Sequence, residues 1–145
     1  MIKVTVVCVG KLKERYWREA CAEYAKRLTR FCKIEIKELP ERPSLEEEAA
    51  EILRNCRGHV IALAIEGREC SSEKFAEKIK TLCDRGEEIT FLIGSSCGLS
   101  SGVKGAAKEL LSFSEMTFPH QMMRVVLLEQ IYRAFMINAG AEYHK

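Results

Sequence analysis

Three stretches of this 145-residue sequence combine residue types that could bind a ligand or move a proton. Gly94-Ser95-Ser96-Cys97-Gly98 is a small-residue loop whose two glycines permit close backbone approach and whose amides suit a ligand's polar groups. It lacks the G-x-G-x-x-G spacing of dinucleotide folds and the G-K-[ST] ending of a phosphate loop, so on pattern alone an ordinary glycine turn is the stronger reading. His120, after Pro119 at the head of a long apolar run, reads as structural before it reads as a ligand contact. The ending Tyr143-His144-Lys145 sets an aromatic, an imidazole and a cation side by side, a set able to stack on a base and manage a proton, although such chain ends are usually free tails. His59 opens an apolar run and reads as structural. No Ser-His-Asp order, HExxH motif or acid pair stands out. Seven cysteines, never closer than eleven residues apart, lack the spacing of a zinc or dithiol site and read as reduced core residues in a cytosol; no metal is expected.

The elements that must position these stretches alternate. Ile2 to Val9 is a uniformly apolar strand, as in a parallel sheet covered on both faces, and Gly10 ends it. A helix follows from about Lys13 to Phe31, then an exposed edge strand around Ile34 and Ile36. Pro40 and Pro43 break the chain. Ser44 to Glu47 has the capping-box pattern, starting a helix that Gly58 closes. His59 to Ile65 is a third strand, Glu66 to Glu69 a turn, and Ser71 or Ser72 caps a helix carrying Phe75, Ile79 and Leu82. A fourth strand runs from Ile89 to Ile93, a short helix lies near Val103 to Leu110, and a fifth strand at about Phe113 to Phe118 leads into the last helix. The order predicts one α/β domain, residues 1–145, with a mainly parallel sheet. Ligands bind outside the carboxyl ends of such strands, which points to the loops Leu63 to Gly67, Gly94 to Gly98 and Phe113 to Phe118.

From Met122 to Ile137 only Arg124, Glu129, Gln130 and Arg133 interrupt the apolar residues. A helix apolar on nearly every side needs cover on nearly every side, so one face is expected on its own domain and another on a second copy. Its length and four polar residues argue against a membrane span, and the opening residues lack the pattern of a secretory leader. Residues 1–37 hold ten Lys or Arg against four Glu, a basic surplus that could face phosphates or simply be a solvated helix face.

Longer motifs carry a resemblance. Gly10-Lys11-Leu12-Lys13-Glu14, Phe91-Leu92-Ile93-Gly94 with Gly98-Leu99, Met116-Thr117-Phe118-Pro119-His120-Gln121-Met122-Met123-Arg124-Val125, Glu129-Gln130-Ile131-Tyr132-Arg133-Ala134-Phe135 and the Tyr143-His144-Lys145 ending are similar, end to end, to the RlmH family. Those enzymes methylate N3 of a pseudouridine in 23S ribosomal RNA of the assembled ribosome. The resemblance implies a SPOUT fold with a C-terminal trefoil knot and a cytoplasmic homodimer. It also implies S-adenosyl-L-methionine held by Leu63, Gly94, Phe113, Ser114, Glu115, Met116, Thr117 and Phe118. It suggests catalytic roles for His144 and Tyr143 of the tail, with Arg124 and Arg133 orienting the base or its phosphate. The chain departs from the family's usual residues at Ala64, Ser95, Met136 and Ala139 and is shorter between Pro40 and Leu53. Two other readings stand beside this one: a catalytically lapsed relative that binds ribosome or cofactor without transfer, and a plain nucleotide-binding or flavodoxin-like module.

Overall fold

The computed structural model describes all residues from Met1 to Lys145. Five strands, β1 (Lys3–Val9), β2 (Lys33–Leu39), β3 (His59–Arg68), β4 (Ile89–Ile93) and β5 (Glu109–Leu111), form one sheet in the order β2-β1-β4-β3-β5. Every pairing is parallel. Helices α1 (Arg15–Leu28), α2 (Leu45–Arg54), α3 (Ser72–Asp84) and α4 (Ser101–Ala106) make the four crossovers, and α5 (His120–Asn138) follows the last strand.

The two-residue alternation of β1 builds both faces of the core. Val4, Val6 and Cys8 point into a cluster of 22 buried residues beneath α1, α3 and α5. Val7 and Val9 point the other way, into a cluster of seven with Ile52 of α2 and Val103 of α4. That two-sided burial is why the strand carries no polar face. On the larger side α5 lies against α1, with Phe135 stacked on Phe31 at 5.5 Å, and against α3. Its half-buried apolar residues, among them Met122, Val125, Val126 and Met136, are what its own domain leaves uncovered. No helix is long and apolar enough to cross a membrane.

The helix starts follow their caps. Ser44 accepts from Glu47 N–H at 3.2 Å, Ser71 from Lys74 N–H at 3.1 Å, and Ser100 from Val103 N–H at 3.2 Å. The reciprocal bond expected of Glu47 is not made. The adjacent buried Glu48 turns back instead, accepting Arg42 N–H at 3.0 Å.

Four expected boundaries are corrected. The fifth strand is Glu109–Leu111, not Phe113 to Phe118. There the last residue of β5 in the ladder is Leu111, and the Ser112 hydroxyl donates to Ser114 O while Ser114 Oγ accepts from Met116 N–H. These local side-chain bonds turn the chain away. The short helix correspondingly lies at Ser101–Ala106, and α1 stops at Leu28. The turn expected at Glu66 to Glu69 is instead the end of β3, which pairs again at Arg68 after a register shift. Cys8, Cys21 and Cys32 are buried as expected, with burial pushing the Cys8 and Cys32 thiols up to about 12, whereas Cys70 and Cys97 are exposed.

Gly67 sits where a Cβ would lie 2.7 Å from the Leu110 carbonyl carbon, while a Cβ at Gly105 would meet nothing within 4 Å. Gly67→Ala should therefore cost about 1–3 kcal/mol by forcing β3 and β5 apart. Gly105→Ala, inside α4, should be neutral or add up to ~1 kcal/mol. Urea midpoints of the two variants check both signs.

Candidate active site

At the carboxyl edge of the sheet the ends of β3 and β4 and the segment between β5 and α5 enclose a cleft of about 680 Å³. Leu63, Ala64, Ile65 and Glu66 form one wall and Ile93 to Leu99 the floor. Leu111, Phe113, Met116 to His120, and Met123 close the other side. The floor needs its glycines: a Cβ on Gly94 would stand 2.5 Å from the Gly98 backbone, and Gly98 turns with φ +79° while its N–H donates to Ser95 O at 2.8 Å. The departing residue Ser95 is buried, and its hydroxyl accepts from Cys97 N–H at 3.3 Å and donates to Glu48 Oε1 at 3.4 Å, pinning the loop to α2.

Of the eight residues expected to hold a cofactor, Leu63, Gly94, Phe113, Met116, Thr117 and Phe118 line this cleft. Ser114 and Glu115 do not; the Ser114 hydroxyl is used to shape the loop around Met116. Glu66, within the expected loop Leu63 to Gly67, also lines it, as do Lys104 and Met123, which were not among the expected site residues. Lys104 Nζ lies 2.8 Å from Glu66 Oε1, and the hydrogen bond it donates holds the Glu66 carboxyl below its ordinary range. His120 belongs to the cleft wall, and its Nδ1 is buried with no protein partner, a polar atom waiting for one.

The tail lies elsewhere. Tyr143 donates its hydroxyl to Glu129 Oε1 at 3.0 Å, and its ring stands edge-on to Tyr132 and under the Arg133 guanidinium. Burial, reinforced by the Glu129 carboxylate, pushes the Tyr143 phenol up to about 12. Arg133 Nη1 lies 2.9 Å from His144 Nδ1, and His144 Nε2 lies 2.6 Å from Glu73 Oε1. A guanidinium only donates, so Nδ1 accepts and the ring hydrogen sits on Nε2, facing Glu73. That bond is the first cause of the lowered Glu73 carboxyl. Glu129 and Arg133 lie nine and thirteen residues beyond His120, about 14 and 20 Å up the α5 axis. The structure thus brings the expected cofactor residues together and the expected tail residues together, as two separate groups.

Arg124 joins neither. Expected to orient a base or phosphate, it is 1% exposed; Nη1 donates to Glu38 Oε2 at 2.5 Å and Nη2 to Gly10 O at 3.1 Å. Glu38 Oε2 also accepts Leu12 N–H at 3.3 Å. A buried guanidinium engaged in this way has no face for a phosphate, so Arg124 is a positioning residue that ties α5 to the ends of β1 and β2.

The family model described as "Predicted SPOUT methyltransferase" matches residues 2–144. The chain belongs to the SPOUT methyltransferase family. Among its relatives it is 50% identical to the ribosomal RNA large subunit methyltransferase H of Streptococcus gordonii and 46% identical to that of Lactobacillus delbrueckii subsp. bulgaricus. Each match spans 99% of this chain and the whole of that protein. Among solved structures, a methylase family protein from Neisseria gonorrhoeae superposes with a TM-score of 0.56 at 12% identity, covering 99% of this chain and 86% of that one, a likeness of fold alone. The SPOUT assignment fixes the class of chemistry as methyl transfer.

If Arg124 is a structural tie, Arg124→Met should lower stability by about 2–3 kcal/mol, less than for a fully buried pair because Glu38 keeps contact with water. Glu38→Gln, which leaves the buried guanidinium without a countercharge, should cost at least as much. Chemical unfolding of the two variants decides it; an Arg124→Met protein as stable as the parent would return this arginine to substrate binding.

Proposed function

We propose that the protein transfers a methyl group from S-adenosyl-L-methionine to N3 of a pseudouridine in 23S rRNA of the assembled ribosome, acting as a cytoplasmic homodimer. The observation that carries this reading is the full-length match to proteins named as large-subunit rRNA methyltransferases, a span that includes both the cleft and the tail.

The cleft suits the cofactor. Leu63, Ile93, Leu111 and Phe113 offer apolar cover for a base, Gly94 and Gly98 a tightly folded floor whose backbone is open to a ligand, and His120 Nδ1 an unsatisfied polar atom. Bound there, S-adenosyl-L-methionine supplies a methyl carbon already activated by its sulfonium. The protein's share is alignment of the N3 nitrogen with that carbon and removal of the imide proton. We assign the proton to His144: Nδ1 exchanges its hydrogen bond from Arg133 for the imide N3–H and takes that proton, the N3 electron pair then forms the bond to the methyl carbon, and the imidazolium keeps its Nε2–H on Glu73. The trefoil knot belongs to the same reading: α5 sets out from the cleft with His120 and Met123 against the ends of β3 and β4, where a threaded helix would pass.

A second copy completes the site. From Asn138 back to Met123 is about 22 Å of helix, and the six residues on to His144 span about 20 Å when fully stretched. A chain serving its own cleft would spend that whole reach and surrender every bond made by Tyr143 and His144. A partner's docked tail needs neither, and the uncovered apolar face of α5 supplies the contact.

Labelled methyl transfer to intact ribosomes tests the reading, with protein-free 23S rRNA and ribosomes lacking the pseudouridine as parallel substrates. Label on intact ribosomes alone is expected. His144→Ala should slow the single-turnover rate about 100-fold or more while leaving cofactor affinity unchanged. An undiminished rate removes His144 from the mechanism. Cofactor binding without label on any ribosome would make the chain a lapsed relative, with Met136 and Ala139 the first residues to restore.

A further inference from the structure

The cleft contributes almost nothing to holding a polyanion. Lys104 is the one lysine in its lining and is already paired with Glu66. If the reading above is right, the phosphates beside the target nucleoside must be held by another segment close by. Strand order names it. β1 lies next to β4 with Cys8 abreast of Ile93, so Gly10 emerges about one strand spacing, ~4.8 Å, from the cleft floor at Ser95.

From Gly10 the chain runs through Lys11, Lys13, Arg15 and Arg18, all exposed, with Glu14 and Glu19 among them and Glu41 lying against Gly10. Arg15 is committed to Glu19 at 2.7 Å. Lys11, Lys13 and Arg18 make no ion pair. The segment is also fastened. Leu12 is buried, its N–H held by the same Glu38 oxygen that takes Arg124, and Gly10 O accepts from Arg124. Arg18 donates back to Leu12 O at 3.1 Å and Lys13 O at 2.5 Å, stiffening the loop from above. A basic loop already ordered before it meets its ligand loses little entropy on binding.

We propose that Lys11 to Arg18 is the platform that holds the RNA phosphate backbone beside the cleft, Lys11 and Lys13 contacting phosphate oxygens and Arg18 bracing the loop between them. The Arg124–Glu38 tie then serves two neighbours at once, fixing this platform relative to the α5 turn that walls the cleft.

The test uses the full-length protein and intact ribosomes over a series of salt concentrations, with binding read by co-sedimentation and methyl transfer measured in parallel. Lys11→Gln with Lys13→Gln should weaken binding roughly tenfold near physiological salt and make the log–log salt slope shallower by about 0.7–0.9 for each lysine. Its cofactor affinity and unfolding midpoint should equal the parent's, which separates a lost contact from a folding defect. Lys26→Gln with Lys33→Gln removes the same charge from the opposite end of α1 and the start of β2, and should change binding little. Equal weakening by both pairs would reduce the platform to a general electrostatic field and overturn the proposal. So would parental binding by the Lys11/Lys13 variant at every salt concentration, or a parent that does not bind ribosomes. A parent that binds ribosomes but labels none sinks the methyltransferase reading alone, since the salt slopes still decide the platform.

Discussion

Helix α5 sets the constraint from which the other arrangements follow. It is a single 19-residue rod, with His120 and Met123 in the cleft wall at one end and Glu129 and Arg133 gripping the tail further along. A helix does not shorten, so a rise of about 1.5 Å per residue keeps cleft and tail apart within one chain. The same rod is buried by α1 on one side and α3 on the other and still leaves apolar residues half-covered. Its composition, which gives no single amphipathic stripe, is the record of those several neighbours.

The rod is held in place by unlike forces at its two ends. Near the cleft a buried arginine reaches across to Glu38 and Gly10. Such a tie adds little net stability compared with apolar packing, but it fixes a position, because breaking it strands a buried charge. Its Nε remains without a partner, so even this network is not fully satisfied. Towards the far end the hold is aromatic and apolar, with Phe31 on Phe135, Tyr24 and Tyr143 on Tyr132, and Ile131 in the core. Where geometry must be exact to a fraction of an ångström for chemistry, the chain uses directional bonds. Where bulk attachment suffices, it uses area.

Much of this was legible in the sequence. The alternation of apolar strands and amphipathic helices predicted the parallel sheet, and the serine caps marked two helix starts, at Ser44 and Ser71. The glycine loop at Gly94 was marked by its residue types, but only the fold supplies the reason for it, since the demand for glycine comes from the Gly98 backbone 2.5 Å from any Cβ. The fifth strand was misplaced onto Phe113 to Phe118 because nothing local announces that Ser112 and Ser114 will spend their hydroxyls bending the chain there. The burial of Arg124 was hidden for a different reason. Its partners lie 86 and 114 residues away, a distance at which sequence reports an arginine but not whether it faces phosphate or carboxylate. Lys104 was invisible on the same ground, being brought to Glu66 of the marked Leu63 to Gly67 loop only by the path of the chain from β3 through α3 and β4 to α4.

The central claim is that each cleft works with the tail of the other copy, and mixed dimers test it most directly. One parent carries a filled floor, Gly94→Val, and the other lacks residues 143–145; each alone should be inactive on ribosomes. After dissociation and re-association of equal amounts, half the dimers are mixed and each mixed dimer has one intact cleft facing one intact tail. The account predicts recovery of about a quarter of the parental activity per subunit. A mixture as inactive as its parts would contradict it, and would mean that cleft and tail must come from the same chain.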